Sequence, residues 1–239
     1  MKPSKFNLKE AILFEDDDFF LINKPPFVAT LEDRNDPINI LSLAREYSDD
    51  AQVCHRLDKD TSGVLAIAKH PEAYRNLSLQ FEHREVSKLY HALVDGVHNF
   101  DETLVDEPIL KKDDGIVKIS KGEGKDAQTY FTTIKAYGAY TLVGCRPITG
   151  RMHQIRIHLS VLKASITGDE TYGGKPFFLS SIKRRFNLKR ETEEQPFMKR
   201  MALHAYSLEF DDLSGVRHKI EAPYPKDMQA LIRQLELNT

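Results

Sequence analysis

The sequence predicts an α+β fold in which a mixed, mostly antiparallel central sheet is flanked by helices. Short turns between neighbouring strand-like segments outnumber the connections long enough to hold a helix, and this favours hairpins over parallel crossovers. The 239 residues are 41% hydrophobic and include 13 Phe, which is enough to bury a substantial core. No repeat or Pro/Gly/Ser linker divides the chain, so we predict one domain over residues 1–239.

Six segments have the length and composition of strands: residues 11–15, 19–24, 64–69, 89–97, 202–210 and 216–222. The first two flank an Asp-rich turn and the last two flank Ser214-Gly215, so each pair predicts a hairpin. Residues 127–149 alternate around a central glycine and predict a longer hairpin. Residues 71–84 are more polar and predict a helix, and residues 226–237, which follow a proline, predict a closing helix.

Composition limits the class of protein. The net charge is −2 and the sequence pI is near 6.5, so any RNA-binding surface must be a local patch. Cys54 and Cys145 are too far apart in sequence to indicate a disulfide framework or a zinc site. Charges interrupt the N-terminal residues before an apolar run can reach membrane-spanning length, which predicts a cytoplasmic protein without a membrane segment.

The most informative segment runs from His55 to Gly63 and reads HRLDKDTSG. It places Asp58 between strand-like sequence and a turn of small polar residues, so the side chain is predicted to project from a loop edge. Taken alone, the segment also fits a structural Asp that caps backbone amides or pairs with a neighbouring Arg.

A second cluster, from Gly150 to Leu159, reads GRMHQIRIHL. If residues 151–163 form a helix, Arg156 lies at the margin of an apolar stripe and is partly buried. A partly buried guanidinium requires an acceptor, for which a carboxylate in bidentate contact is the best match, and we expect Asp58 to supply it. A strand through the same residues fits the periodicity as well.

Together these two runs resemble the signature motifs of the RluA-type pseudouridine synthases, which isomerise uridine in RNA to pseudouridine. The resemblance implies that Asp58 is the essential catalytic group and that Arg156 orients it and keeps it ionised. The segment KLYHA, which begins at Lys88, resembles a further motif and implies that Tyr90 stacks on the target base. The implied fold has two mixed half-sheets joined into one long sheet, flanked by helices, with the active cleft between the halves.

Other motif-like segments imply contacts with RNA or structural roles. Arg56 resembles the arginine that fills the gap left by a flipped uridine, and Leu203, within RMALHA, resembles a wall of the base pocket. Residues 167–174 read TGDETYGG and resemble a glycine-rich family segment, which we interpret as scaffold. Read alone, without the resemblance, Tyr90 and Leu203 are more simply explained as plain core positions.

Several polar residues are weaker candidates for RNA contact. Arg151, His153 and Gln154 lie at a possible helix start, where they could contact phosphate or help shape the cleft. Lys183, Arg184 and Arg185 open a run with five cations in residues 183–190. Three glutamates follow within residues 191–194, so a solvated basic face explains this run equally well.

The sequence predicts no cofactor and no metal. His153 and His158 diverge by roughly 140° around a helix, so they cannot share a metal ion. Uridine isomerisation needs no electron acceptor and no second substrate.

The expected partner is a stem-loop of large-subunit rRNA or tRNA, bound by a monomer that lacks the accessory N-terminal RNA-binding module of several relatives. The alternatives are a non-catalytic RNA-binding or RNA-folding protein and, more remotely, an Asp-dependent phosphoesterase that uses Asp58 and Asp60.

Overall fold

The structure, a computed structural model, describes residues 6–32, 38–184, 186–188 and 192–238. Within these ranges the strands are β1 (Ile12–Glu15), β2 (Phe19–Lys24), β3 (Gln52–Val53), β4 (Ser62–Ala68), β5 (Ser87–Asp95), β6 (Thr103–Asp106), β7 (Ile109–Lys111), β8 (Val117–Ile119), β9 (Gln128–Tyr137), β10 (Tyr140–Pro147), β11 (Leu203–Asp211) and β12 (Arg217–Glu221). The α-helices are α1 (Ile40–Tyr47), α2 (Pro71–His83), α3 (Gln154–Val161) and α4 (Lys226–Asn238).

The chain separates into two compact units. The first comprises Met1–Tyr90 and His204–Tyr224, and the second comprises His91–Leu203 and Pro225–Thr239. Each unit contains both strands and helices, so the predicted α+β class is confirmed. Among the described residues, no helix combines the length and the apolar character needed to cross a bilayer.

In the first unit the strand order is β1-β2-β4-β11, with β3 also beside β4 and β12 beside β11. All seven residues of β4 are buried because the strand is covered on both faces. One face of the sheet packs Phe20, Ile22 and Leu65 against α1. The other face packs Phe19 and Leu21 against α2. Alternate side chains of β2 therefore point into two different apolar layers, as the two-residue period of a strand requires.

In the second unit the strand order is β5-β10-β9-β6, and β5 enters this unit at His91 because its first four residues, up to Tyr90, belong to the first unit. The β9–β10 hairpin turns at Gly138, which has a φ of +50°, and β6 pairs antiparallel with β9. β7 and β8 form a separate two-stranded ribbon. An apolar cluster joins Ile109 and Val117 of this ribbon to Met152 and Ile157, so the ribbon packs against the region of α3.

The predicted hairpins and both predicted helices are confirmed, and the open choice for residues 151–163 is decided in favour of a helix. We did not predict α1 or the short strands β6, β7 and β8. α1 begins with a capping box in which Asn39 and Ser42 bond each other's backbone amides. Ser at the third helical position is a weaker signal than Glu or Gln, and the three strands are too short to show a clear period.

Candidate active site

Asp58 lies in the first unit, in the turn that leads into β4. The Thr61 amide donates to the Asp58 carbonyl at 3.0 Å and closes this turn. On the other side, the Thr30 hydroxyl donates to the Leu57 carbonyl at 2.8 Å and accepts from the Leu57 amide at 3.2 Å. Leu57 is buried, whereas Asp58 is partly exposed. The backbone is therefore held on both sides of a carboxylate that solvent or a ligand can reach.

A buried lysine strengthens this loop. The Lys24 ammonium is fully buried and donates to the carbonyls of Pro25 at 2.9 Å, Val28 at 2.9 Å and Lys59 at 3.1 Å. A buried ammonium is stable only when its donors are used, and here they join the loop after β2 to the residue that follows Asp58. We did not predict this role for Lys24.

Tyr90 belongs to β5 and packs beside the apolar cluster that contains Leu57 and Ala205. Burial raises the pKa of the Tyr90 phenol, and the charge of Asp58 raises it further. The phenol therefore keeps its proton at neutral pH, and Asp58 is near enough for its charge to act on the ring.

Two further residues of this region have shifted pKa values. Burial, assisted by Arg84, lowers the pKa of Lys88 to about 8. Burial and the charge of Lys88 lower the pKa of His55 to about 3. His55 accepts from the Ala66 amide through Nε2 at 3.1 Å and lies against the Phe81 ring at 4.9 Å. His55 is therefore a neutral structural residue.

The turn after Asp58 depends on close contact between β4 and β11. Ser62 and Gly63 pair in parallel with His204 and Ala205. Gly63 has a φ of +118°, and a Cβ there would lie 2.1 Å from the Ala205 carbonyl oxygen. His204 donates from Nε2 to the Ala222 carbonyl at 3.0 Å, so its Nδ1 accepts from the Ser62 hydroxyl at 2.9 Å.

Arg156 lies on α3 in the second unit. Residues of the predicted apolar stripe are buried or partly buried: Met152, Ile155, Leu159 and Leu162. The Arg156 side chain is 11% exposed, which confirms that it is partly buried.

Asp169 is in bidentate contact with Arg156, and the expected contact between Arg156 and Asp58 stays a prediction. The Arg156 Nε lies 2.6 Å from Asp169 Oδ2, and Nη2 lies 2.8 Å from Oδ1. The guanidinium also lies over the Tyr172 ring, 4.9 Å from its centroid. We had interpreted the segment that contains Asp169 and Tyr172 as scaffold, because its glycines suggested only tight packing.

The Gln154 side chain is buried, and the protein itself supplies hydrogen-bond partners for both of its polar atoms. Its Oε1 accepts from the Thr149 hydroxyl at 2.7 Å and from the Arg151 amide at 2.9 Å. Its Nε2 donates to the Gln128 carbonyl at 2.9 Å and the Thr129 hydroxyl at 3.0 Å. Gln154 therefore joins the start of α3 to β9.

The two other candidates at this helix start are more accessible. Arg151 is exposed and donates from Nε to the Asp126 carbonyl at 3.0 Å. His153 has a φ of +51°, and its Nδ1 shares a hydrogen bond of 2.9 Å with the Tyr172 hydroxyl.

Leu203 opens β11 and is 3% exposed. Its carbonyl accepts from Nη1 of the buried Arg200 at 3.2 Å. Arg56 is exposed, next to the buried Leu57.

Lys183 and Arg184, at the start of the basic run, are both exposed. Arg185, Lys189 and Arg190 lie outside the described residues. The described part of the predicted patch is therefore two cations on the surface.

Known proteins match this chain over most of its length. The family profile described as RNA pseudouridylate synthase matches residues 18–161. Ribosomal large subunit pseudouridine synthase C of Salmonella typhi is 34% identical over 236 residues, which cover 95% of this chain and 70% of that protein. The enzyme of the same name from Escherichia coli (strain K12) has the same identity and coverage.

Two solved human structures share the fold. RNA Pseudouridylate Synthase Domain Containing 4 has a TM-score of 0.72 at 24% identity, with 96% of this chain and 94% of that chain covered. RNA Pseudouridylate Synthase Domain Containing 1 has a TM-score of 0.70 at 23% identity, with 95% of this chain and 94% of that chain covered.

Proposed function

This chain belongs to the RNA pseudouridylate synthase family, and from that premise we propose that it isomerises uridines of large-subunit ribosomal RNA with Asp58, Tyr90 and Arg156 as catalytic residues. The chain is an isomerase that acts on RNA. In this reaction the bond between the sugar and N1 of the uracil breaks and a bond from the sugar to carbon-5 forms, while carbon-5 loses its hydrogen as a proton and N1 gains a proton.

The observation that carries the proposal is the setting of Asp58. Its backbone is held on both sides, its side chain is partly exposed, and its charge acts on the phenol of Tyr90. The Asp can act by attack on the sugar, by attack on the base or by promoting elimination to a glycal. Each of these routes needs an ionised carboxylate in a fixed position.

Tyr90 and Arg156 supply the remaining groups. Tyr90 offers a ring on which the uracil can stack and a phenol that keeps its proton at neutral pH. Arg156 offers a positive charge held in one orientation on α3. A nearby arginine favours the charged form of a carboxylate, so its role suits chemistry that depends on an ionised Asp.

RNA contact is proposed for Arg56, Leu203, Arg151, His153, Lys183, Arg184 and Arg185. The exposed guanidinium of Arg56 can fill the gap left by the flipped nucleotide and offset part of the cost of unstacking. Exposed cations contribute affinity through phosphate contacts, which weaken as salt rises. Leu203 supplies an apolar wall for the base.

The choice of large-subunit rRNA follows the names of the bacterial relatives, which act on the large ribosomal subunit. Transfer RNA is the alternative substrate. The free thiols Cys54 and Cys145 suit a reducing compartment, and we include cytoplasmic location and a monomeric state in the proposal.

Release of tritium from carbon-5 of labelled uridine tests this proposal. The wild-type protein should release tritium from large-subunit rRNA and much less from tRNA. Asp58→Asn should lower the rate by at least about 10³-fold, with RNA affinity retained, because the loss removes a reacting group and leaves the RNA contacts in place.

Asp60→Asn is the matched control, since it changes a second carboxylate of the same turn and should keep the activity. Release from tRNA alone would overturn the substrate assignment. A fully active Asp58→Asn would overturn the catalytic assignment, and a protein that binds RNA without any release would favour the non-catalytic alternative.

A further inference from the structure

We propose that Asp169 is the positioning residue of Arg156, which it holds in the one orientation that the reaction uses. This inference rests on the catalytic role proposed above for Arg156. It gives a function to a segment whose glycines had suggested only a scaffold.

The first support is the geometry of the contact. Two nitrogens on one edge of the guanidinium, Nε and Nη2, meet the two oxygens of Asp169 at 2.6 and 2.8 Å. A two-point contact of this kind fixes the plane of the guanidinium as well as its position. The Asp169 side chain is 2% exposed, so water competes little for these hydrogen bonds.

The second support is the flat face of the guanidinium. Arg156 lies over the Tyr172 ring at 4.9 Å. The ring is itself held, because its hydroxyl accepts from the Val117 amide at 3.0 Å and bonds His153 Nδ1 at 2.9 Å. One edge and one face of Arg156 are therefore defined by residues of the same short segment.

The third support is the backbone that carries Asp169. The Asp169 amide donates to the Ile166 carbonyl, and the Asp169 carbonyl accepts from the amides of Tyr172 and Gly174. A Cβ on Gly174 would lie 1.8 Å from the Ile166 carbonyl oxygen, and a Cβ on Gly168 would lie 2.6 Å from a backbone oxygen. The glycines are therefore required to bring Asp169 to α3.

The test separates positioning from simple stabilisation. Asp169→Asn keeps the shape but loses the charge, and its amide faces Arg156 with a donor where an acceptor stood. We expect kcat to fall on the order of 100-fold, as a small misplacement of a reacting group can cause. We expect KM for RNA to change less than threefold, because the contact does not involve RNA.

The variants are compared in three ways, with kcat measured at a temperature well below the lowest Tm among them. In Arg156→Met, the added Asp169→Asn change should not slow kcat further, because Asp169 acts through Arg156. The double variant should also be more stable than Arg156→Met, because no buried carboxylate is left without its partner. Leu231→Ala, which destabilises the same unit from the buried face of α4, should lower Tm and keep kcat.

The outcomes are distinguishable. A wild-type protein that releases no tritium contradicts the proposed function itself, and an active Arg156→Met contradicts the role of Arg156. If the wild type is active and Asp169→Asn keeps kcat within threefold of the wild-type value, the inference is overturned and the proposed function stands. The same holds if the losses of kcat caused by Asp169→Asn and Arg156→Met multiply in the double variant. Should Asp169→Asn fail to fold, Asp169→Ala removes the carboxylate without placing a donor against Arg156, and wild-type kcat in that variant overturns the inference instead.

Discussion

His55 illustrates, at the scale of single residues, how a motif position can serve the fold. Its ring is held between the Ala66 amide and the Phe81 ring. Burial and the charge of Lys88 lower its pKa from 6.5 to about 3, so it stays neutral where an exposed histidine would be protonated. Protonation of this histidine therefore favours the unfolded chain.

We expect the free energy of unfolding to decrease as pH falls from about 6.5 towards about 3. In that window His55 binds a proton in the unfolded chain and not in the folded protein, which contributes up to about 1.4 kcal/mol per pH unit. Burial also lowers the pKa of His158, which acts in the same direction. Urea unfolding at pH 7, 5.5 and 4.5 measures the slope.

His55→Gln should reduce that slope, whereas His83→Gln, which changes an exposed histidine, should leave it unchanged. Equal slopes in the wild type and His55→Gln would show that His55 does not carry the effect.

The contact between β4 and β11 is the decisive feature at the scale of elements. Ser62 and Gly63 begin β4 beside His204 and Ala205, and the same turn presents Asp58. The backbones meet so closely that no side chain fits at Gly63. The position of the candidate catalytic loop therefore depends on a strand that follows it by about 140 residues.

Gly63→Ala should cost more than about 3 kcal/mol of stability, because it combines a positive φ with a clash against backbone. Gly115→Ala is the matched control, since Gly115 also has a positive φ, +79°, but no atom lies within 4 Å of the added Cβ. It should cost about 1–2 kcal/mol. Urea unfolding compares the two, and equal costs would contradict the role of the close contact.

At the scale of the whole molecule, neither unit is a continuous stretch of chain. The first unit takes β1 to β4 from the N-terminal part of the chain and nearly all of β11 from a later segment. The second unit takes α4 from beyond that segment. The chain therefore passes between the units three times, and an N-terminal fragment ending at Tyr90 would lack a strand of its own sheet.

The single domain predicted over residues 1–239 implies one cooperative unfolding transition. Far-UV and near-UV circular dichroism should show coincident melting curves, and the calorimetric and van't Hoff enthalpies should agree. Two separated transitions, or an intermediate that keeps one unit folded, would contradict the single-domain prediction.

The sequence by itself determined most strands and helices, because periodicity and turn residues are local signals. The hairpins around Gly138 and Gly215 and the helices after His70 and Pro225 are predicted correctly for this reason. It also determined the family, because the motifs around Asp58 and Arg156 are long. The charged segment that holds β6 to β8 has no such signal, and these strands were not predicted.

Only the tertiary structure decided which side chains meet. Asp169 follows Arg156 by 13 residues, Lys59 follows Lys24 by 35, and His204 follows Ser62 by 142. Such positions are linked by no period in the sequence, because they become neighbours only when the backbone folds. An acid among glycines was the available signal for Asp169, but identifying it as a partner of Arg156 required the tertiary structure, since a guanidinium pairs equally well with any carboxylate that the fold brings close.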